Sequence, residues 1–190
     1  MANLWLASGS VIIEAGGALL RQPALWRRLI RATQPGRMGS IFGKGAQPTR
    51  AVVLCVSVER LHAPNTSDQV RALAQTMNER LRQLSQTLGI SLPIYVLFTK
   101  LDAVPAFAEY AGHLTVEEVK LPLGSLLASL PAGAGLYAER ASNQVASRFD
   151  ELVYSLAEFR LEVLSRGGEL PALARAYEFP RDLRKLRAAI

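Results

Sequence analysis

Residues 93–102 read PIYVLFTKLD, and this run decides the predicted fold of the chain. After the proline, the run is apolar without alternation, a pattern typical of a strand that is covered on both faces of a parallel sheet. It then changes abruptly to Thr99-Lys100-Leu101-Asp102. Because parallel α/β sheets bind ligands beyond the carboxyl ends of their strands, the sequence predicts a buried strand followed by a polar loop in the position of a ligand site.

A second apolar run precedes this strand at residues 51–58, which read AVVLCVSV. It also lacks alternation, so it predicts another strand covered on both faces, with Cys55 as a small buried side chain. Between the two runs, Thr66 and Gln69 have the spacing of a capping box, and apolar residues then continue at helical spacing as far as Gly89. This order of strand, helix and strand predicts a parallel crossover and an α/β fold.

Weaker patterns complete the fold prediction. We expect a hairpin from two extended runs, an early helix that Pro23 begins, a connection rich in glycine, an edge strand, a long helix and two short terminal helices. These elements are predicted at residues 4–7 and 10–13, 23–32, 34–48, 119–121, 139–166, 171–177 and 180–189.

The Thr-Lys-x-Asp sequence that ends the run at residues 93–102 is similar to the guanine-selecting loop of GTPases. The expected organisation is therefore a P-loop GTPase-like parallel sheet flanked by helices, incomplete at its N-terminus. Residues 1–114 would form this GTPase-like α/β core without a phosphate loop, and residues 115–190 would form a mainly helical subdomain packed on the core.

Composition limits the class of protein. The 190 residues suffice for one domain, and a hydrophobic content of 49% argues against disorder. A single cysteine excludes an internal disulfide framework and suits a reducing compartment. The uncharged apolar segments are shorter than the roughly 20 residues that span a bilayer, so we expect this chain itself to be soluble.

Charge is distributed unevenly along the chain. The net charge is +6, and no Asp or Glu occurs between Glu14 and Glu59, whereas seven Lys or Arg residues do. Such a region could bind anionic lipid, nucleic acid or an acidic protein surface, or it could be a solvated basic face. The basic residues between 181 and 187 leave the same alternatives open.

Thr99, Lys100 and Asp102 match the Thr-Lys-x-Asp form of the loop that selects guanine in GTPases. In that loop the carboxylate accepts two parallel N–H bonds from the base, and charge-assisted bidentate bonds of this kind are strong and selective. Asp102 would select the base and Lys100 would cover its ring. Glu14 and Gly17 stand where a GTPase has Asp-x-x-Gly, but the longer carboxylate displaces the oxygens, which a magnesium site tolerates poorly.

The phosphate-binding part of a nucleotide site is absent from these 190 residues. Gly-x4-Gly-Lys-Ser/Thr does not occur, and the segment 38–45 departs from it because Met38 replaces the first glycine and Gly45 the hydroxyl residue. We therefore expect no catalytic residues and no hydrolysis by this chain alone. GTP with magnesium would bind only if a phosphate loop came from outside the chain. We also expect no metal site, because His62 and His113 lack other ligands at suitable spacing.

Six segments of the sequence resemble the cytoplasmic region of the TssM/IcmF family, the most specific being LGISLPIYVLFTKLD at residues 88–102. The others are residues 10–17, 51–61, 107–110, 149–152 and 179–187. The family usually has Asp-Thr-Ala-Gly-Arg-Tyr where this chain has residues 14–19, EAGGAL. The resemblance implies an inner-membrane component of the bacterial type VI secretion system, in which this part would lie at the cytoplasmic face of the inner membrane with its membrane tether elsewhere.

A structural role is the first hypothesis that this resemblance implies, with other membrane-complex and baseplate subunits as partners. The chain would then be a piece of a larger protein, or a degenerate member that has lost nucleotide chemistry. Two alternatives remain at this point: a guanine-nucleotide hydrolase or switch whose P-loop lies upstream, and a basic module for nucleic acid or an anionic membrane surface.

Overall fold

A computed structural model describes residues 2–34, 49–62, 67–128 and 137–190 of the chain. Within these ranges the protein is mixed α/β, with two small sheets and several helices. The chain forms two compact units, which we call unit 1 and unit 2. Unit 1 comprises residues 1–54 and 68–97, and unit 2 comprises residues 55–67 and 98–190.

Unit 1 begins with the predicted hairpin. Strands β1 (Ala2–Ala7) and β2 (Ser10–Ala15) pair antiparallel, with Ala2 opposite Ala15. Gly9 in the turn has φ +75°, a conformation that glycine adopts without strain. Large apolar side chains of the hairpin are exposed by 56 to 73%, namely Leu4, Trp5, Leu6 and Ile12.

Two short helices come after the hairpin, α1 (Gly17–Leu20) and α2 (Pro23–Ala32), and α2 begins at Pro23 as predicted. Each helix leaves carbonyl oxygens without a partner at its C-terminal end. An arginine contacts each end: Arg80 Nε donates to the Leu20 oxygen at 2.7 Å, and Arg50 Nη1 donates to the Thr33 oxygen at 2.8 Å. Positive charge also complements the negative end of a helix dipole.

The second sheet consists of β3 (Val52–Ser57) and β4 (Ile94–Thr99). The Val52 amide donates to the Pro93 oxygen, and the Val58 amide donates to the Thr99 oxygen, both at 2.9 Å. These bonds advance together along both strands, so the strands are parallel, as predicted. Between them lie α3 (Glu59–His62) and α4 (Ser67–Leu88).

Gly89 ends α4 with φ +65°, as predicted for a glycine at this position. The proposed cap Thr66 and the glycine-rich connection predicted at 34–48 lie outside the described residues, except for Gln34.

The prediction that these two strands are covered on both faces is wrong. Residues 94–98 are each exposed by 40 to 51%, Val53 is exposed by 54%, and Cys55 is exposed rather than buried. In the described part of the chain this sheet has only two strands, and the segments packed on its faces leave residues 94–98 about half exposed. An apolar sequence shows that a strand is hydrophobic, but it does not show which segments pack on the faces of that strand.

Unit 2 contains the larger hydrophobic core. Its helices are α5 (Phe107–Gly112), α6 (Val116–Val119), α7 (Tyr137–Ser165) and α8 (Leu170–Arg184), with 3₁₀ helices at Leu101–Ala103 and Lys185–Ala188. Phe179 of α8 is fully buried, and its ring centroid lies 5.4 Å from that of Phe107 and 4.8 Å from that of Tyr110. Aromatic pairs at this separation stabilise a core beyond their buried area.

Two predicted elements of unit 2 are wrong. The sequence predicts two short helices at residues 171–177 and 180–189, but α8 continues through Pro180. It does so because Phe179, Pro180 and Leu183 are all buried. That packing offsets the hydrogen bond that the proline cannot donate. The edge strand expected at residues 119–121 is replaced by α6, which begins with a capping box between Thr115 and Glu118.

Arg166, next to the end of α7, binds α6 to that helix. Its guanidinium donates to both carboxylate oxygens of Glu118 at 2.6 Å, to the His113 oxygen at 2.8 Å and to Glu162 at 2.9 Å. The hydrogen bonds from Arg166, and after them that from the Thr115 amide, lower the pKa of Glu118 to about 2. The ion pair is therefore present throughout the neutral and mildly acidic range.

The compact units do not match the predicted boundary between residues 114 and 115. The segment after β4 packs with α8, since Val104 and Tyr110 share a core with Phe179. Whether residues 1–114 and 115–190 are separate domains stays a prediction. No helix in the described ranges is both long and apolar enough to cross a membrane.

Phe179→Ala should lower the free energy of unfolding by about 3–5 kcal/mol, since it removes a fully buried aromatic side chain and leaves a cavity. Chemical denaturation monitored by circular dichroism measures the change. Leu170→Ala on the same helix is the control, because Leu170 is 81% exposed and its loss should change stability by less than about 0.5 kcal/mol. Equal effects of the two substitutions would contradict the described core.

Glu118→Gln should lower the thermal unfolding midpoint at pH 7, because an amide cannot replace the charged partner of Arg166. The folded pKa of Glu118 lies below its usual 4.5, so its contribution is complete above pH 4.5 and is lost as the pH falls towards 2. The difference between variant and wild type should therefore shrink over this range. Glu117→Gln, which changes an 81% exposed carboxylate, should show no such trend.

Candidate functional site

The candidate site lies at the carboxyl end of β4, where Thr99, Lys100 and Asp102 come in close succession as the sequence predicted. Lys100 has φ +58° and ψ +46°, in the left-handed region that is uncommon for residues other than glycine. The 3₁₀ helix begins immediately after it, and the Ala103 amide donates to the Lys100 oxygen at 3.0 Å. The backbone therefore reverses direction sharply at Lys100.

Packing of the next few residues fixes this reversal. Val104 is 1% exposed and Ala106 is 6% exposed, and both belong to the core of unit 2. The chain must leave the strand and enter this core within a few residues. The left-handed conformation of Lys100 makes that change of direction possible, and strained backbone of this kind is often found at functional sites.

Lys100 forms an ion pair with Glu59, which is not among the predicted site residues. The Lys100 Nζ atom lies 2.6 Å from Glu59 Oε2, which also accepts a hydrogen bond from the Ser57 hydroxyl at 3.2 Å. The hydrogen bond from Lys100 is the main cause of the lowered pKa of Glu59. Both side chains are more than half exposed, so water screens their attraction.

A signal for Glu59 was present in the sequence. It stands just beyond β3, and the carboxyl ends of two parallel strands meet at one edge of a sheet. A ligand site is expected beyond the carboxyl end of each parallel strand, so the position that made Lys100 a candidate after β4 also makes Glu59 a candidate after β3.

Asp102 and Thr99 complete this part of the site. Asp102 is exposed in the 3₁₀ helix, and Thr99, the last residue of β4, is half-buried. The carboxylate of Asp102 is therefore accessible to a ligand, whereas the ammonium group of Lys100 already has a partner within the chain.

Glu14 and Gly17, the other predicted site residues, belong to unit 1. The Glu14 Oε2 atom accepts hydrogen bonds from Asn3 Nδ2 at 3.0 Å and from Trp5 Nε1 at 3.2 Å, and these bonds, the one from Asn3 first, lower the pKa of Glu14. Asn3 is directly opposite Glu14 in the hairpin, so the contacts are cross-strand pairs. Glu14 thus stabilises the hairpin.

Gly17 shows no special backbone requirement. It begins α1 without a positive φ, and a Cβ atom placed on it would meet nothing within 4 Å. The segment 38–45, which partly resembles a phosphate loop, lies outside the described residues. The structure therefore brings Thr99, Lys100 and Asp102 together with Glu59, and it places Glu14 and Gly17 in the other unit.

Of the two histidines, only His113 has a described side chain. His113 Nδ1 lies 2.7 Å from the Glu109 oxygen, and the side chain of His62 is outside the described part. The described residues contain no group of three His, Cys, Asp or Glu side chains that could hold a metal ion.

Comparisons with known proteins agree on one family. The family described as IcmF-related N-terminal domain matches residues 44–190. The type VI secretion system component TssM1 of Pseudomonas aeruginosa is 33% identical over 187 residues, which is 98% of this chain and 16% of that relative. The chain thus spans about one sixth of the length of the curated relative that it matches. No solved structure matches the chain.

Lys100→Gly should unfold at a higher denaturant concentration than Lys100→Ala. Both substitutions remove the ion pair with Glu59, but only glycine also relieves the left-handed backbone, a difference of roughly 1 kcal/mol. Urea unfolding of the two variants measures it. The same comparison at Leu101, which has no positive φ, should reverse the order, and an unchanged order there would contradict the explanation.

Proposed function

The chain belongs to the IcmF-related family of type VI secretion components, and from this membership we propose that it is a structural domain of the secretion membrane complex. Its task would be to hold other subunits in place and not to catalyse a reaction. Other membrane-complex and baseplate subunits would be its partners. It would lie at the cytoplasmic face of the inner membrane, with the membrane tether supplied outside this chain.

One observation carries this proposal: two of the three charged groups of the predicted nucleotide site, Lys100 and Glu14, already have partners within the chain. Lys100 is paired with Glu59 at 2.6 Å, and Glu14 is bonded by Asn3 and Trp5. A lysine held by a carboxylate would have to exchange that contact to cover a base. A carboxylate held by its own hairpin would have to do the same to support magnesium.

Exposed apolar strands support a binding role. Leu4, Leu6 and Ile12 of the hairpin and residues 94–98 of β4 are each exposed by 40 to 73%. Exposed apolar groups that lie close together usually mark interaction surfaces. A domain in which Lys100 and Glu14 already have partners and in which apolar strands are exposed is better suited to binding than to catalysis.

The proposal includes a descent from the P-loop GTPase fold, with Thr99, Lys100, Asp102, Glu14 and Gly17 as remnants of a guanine-nucleotide site. The position of Thr-Lys-x-Asp at the carboxyl end of a parallel strand supports this descent. No cofactor would be needed for the structural role. GTP with magnesium would enter only if a phosphate loop were supplied from outside these residues.

The position of Thr-Lys-x-Asp also favours a second candidate function, a guanine-nucleotide switch, because Asp102 is exposed and lies outside the Lys100–Glu59 pair. In that case Asp102 would still accept the base, and binding would displace Glu59 from Lys100.

Asp102→Ala should leave type VI secretion unchanged in a bacterium that depends on the protein containing this chain, because a structural domain needs no base selector. Leu6→Asp, at a position 73% exposed in the hairpin, should reduce secretion at an unchanged amount of protein. Immunoblots of a secreted substrate and of cell extracts measure both effects.

Calorimetry with GTP distinguishes the two candidates. Micromolar binding that Asp102→Ala abolishes, together with loss of secretion in that variant, would contradict the structural proposal and favour the switch.

A further inference from the structure

The basic excess of the chain lies entirely in unit 1. Residues 1–54 and 68–97 contain ten Lys or Arg and three Asp or Glu residues, whereas residues 55–67 and 98–190 contain twelve and thirteen. The net charges are therefore +7 for unit 1 and −1 for unit 2, in agreement with +6 for the whole chain.

The two units also differ in how their charges are paired. All ion pairs between described residues lie in unit 2, for example Arg166 with Glu118 and Arg187 with Asp150. In unit 1, Glu14 is bonded by Asn3 and Trp5 and not by an arginine. The described arginines of unit 1 therefore form no ion pair with the described acidic side chains.

Three of these arginines share the outer face of α2. Arg27, Arg28 and Arg31 are all exposed, while Ile30 of the same helix is 1% exposed. Residues 27 and 31 are four apart, and residues 28 and 31 are three apart, so like charges are neighbours on the helix surface. Such pairs destabilise a helix, and an external anionic surface would remove the repulsion.

We propose that unit 1 binds the surface of an anionic lipid bilayer, with the α2 arginines on the headgroups and apolar side chains of the hairpin at the hydrocarbon boundary. Trp5 and Leu6, exposed by 58 and 73%, belong to the same unit. Basic side chains together with exposed Trp and Leu are the combination that interfacial membrane segments use. Nucleic acid would satisfy the arginines and leave these apolar groups in water. The inference stands independently of the structural role in secretion.

Sedimentation of the full chain with vesicles tests the proposal. Equimolar phosphatidylglycerol and phosphatidylcholine vesicles should bind it, and pure phosphatidylcholine should bind it far more weakly. Because each arginine near an anionic surface contributes about fivefold in affinity at low salt, the variant Arg27→Gln/Arg28→Gln/Arg31→Gln should bind about 100-fold more weakly. Added salt should reduce wild-type binding as the screening length shortens.

A matched control distinguishes the effect of the α2 arginines on binding from the effect of net charge. Arg140, Arg175 and Arg181 are exposed arginines of unit 2, and their combined replacement by Gln removes the same charge. This control should bind vesicles as the wild type does, and both triple variants should retain the wild-type circular dichroism spectrum. Equal loss in both triple variants, or no binding to anionic vesicles, would overturn the proposal.

Tryptophan fluorescence tests the apolar part. The chain contains two tryptophans, Trp5 and Trp26, so the variant Trp26→Phe reports on Trp5 alone. Its emission should shift to shorter wavelength on anionic vesicles, and Trp5→Phe should not show this shift. An unchanged emission wavelength of Trp5 would contradict insertion of the hairpin into the bilayer. Tighter binding to a DNA duplex or to polyglutamate, with the same dependence on the α2 arginines, would show that the partner is not a lipid.

Discussion

The burial of Phe179 against Phe107 and Tyr110 determines much of the structure beyond β4. Because Phe179 and Tyr110 are buried and the partly buried Phe107 packs against them, the segment that carries Phe107 and Tyr110 must turn away from the strand and enter the core of unit 2. The turn falls on Lys100, whose backbone is left-handed. The position of the candidate site is therefore a consequence of packing several residues further along the chain.

The two units are stabilised by different interactions. Unit 2 has a continuous hydrophobic core and pairs its charges internally, as Arg166 does with Glu118, Glu162 and the His113 oxygen. Unit 1 buries few side chains and uses arginines on main-chain oxygens at the ends of α1 and α2. Its strands and its arginine face remain open. These are the properties of a surface that binds something outside the chain.

Nucleotide chemistry and a binding role can be compared on the same residues. Lys100 is paired with Glu59, and Glu14 is hydrogen-bonded within the hairpin, so two of the three charged groups of the predicted site already have partners in the chain. Asp102, the third of these groups, is exposed and lies outside these contacts. Membership in the IcmF-related family fits a component of a secretion complex.

Local pattern was enough to predict the two parallel strands with their crossover helix, the hairpin, the start of α2 at Pro23, the glycine end of α4 and the long helix α7. The family was predicted from the resemblance of six segments to its known members. Tertiary packing was needed to establish that residues 94–98 and Cys55 are exposed, that α8 runs through Pro180 and that Glu59 holds Lys100. Each of these features depends on which distant segments pack together. Glu59 and Lys100 are far apart in sequence, and the sequence of an apolar strand does not show which segments cover the strand.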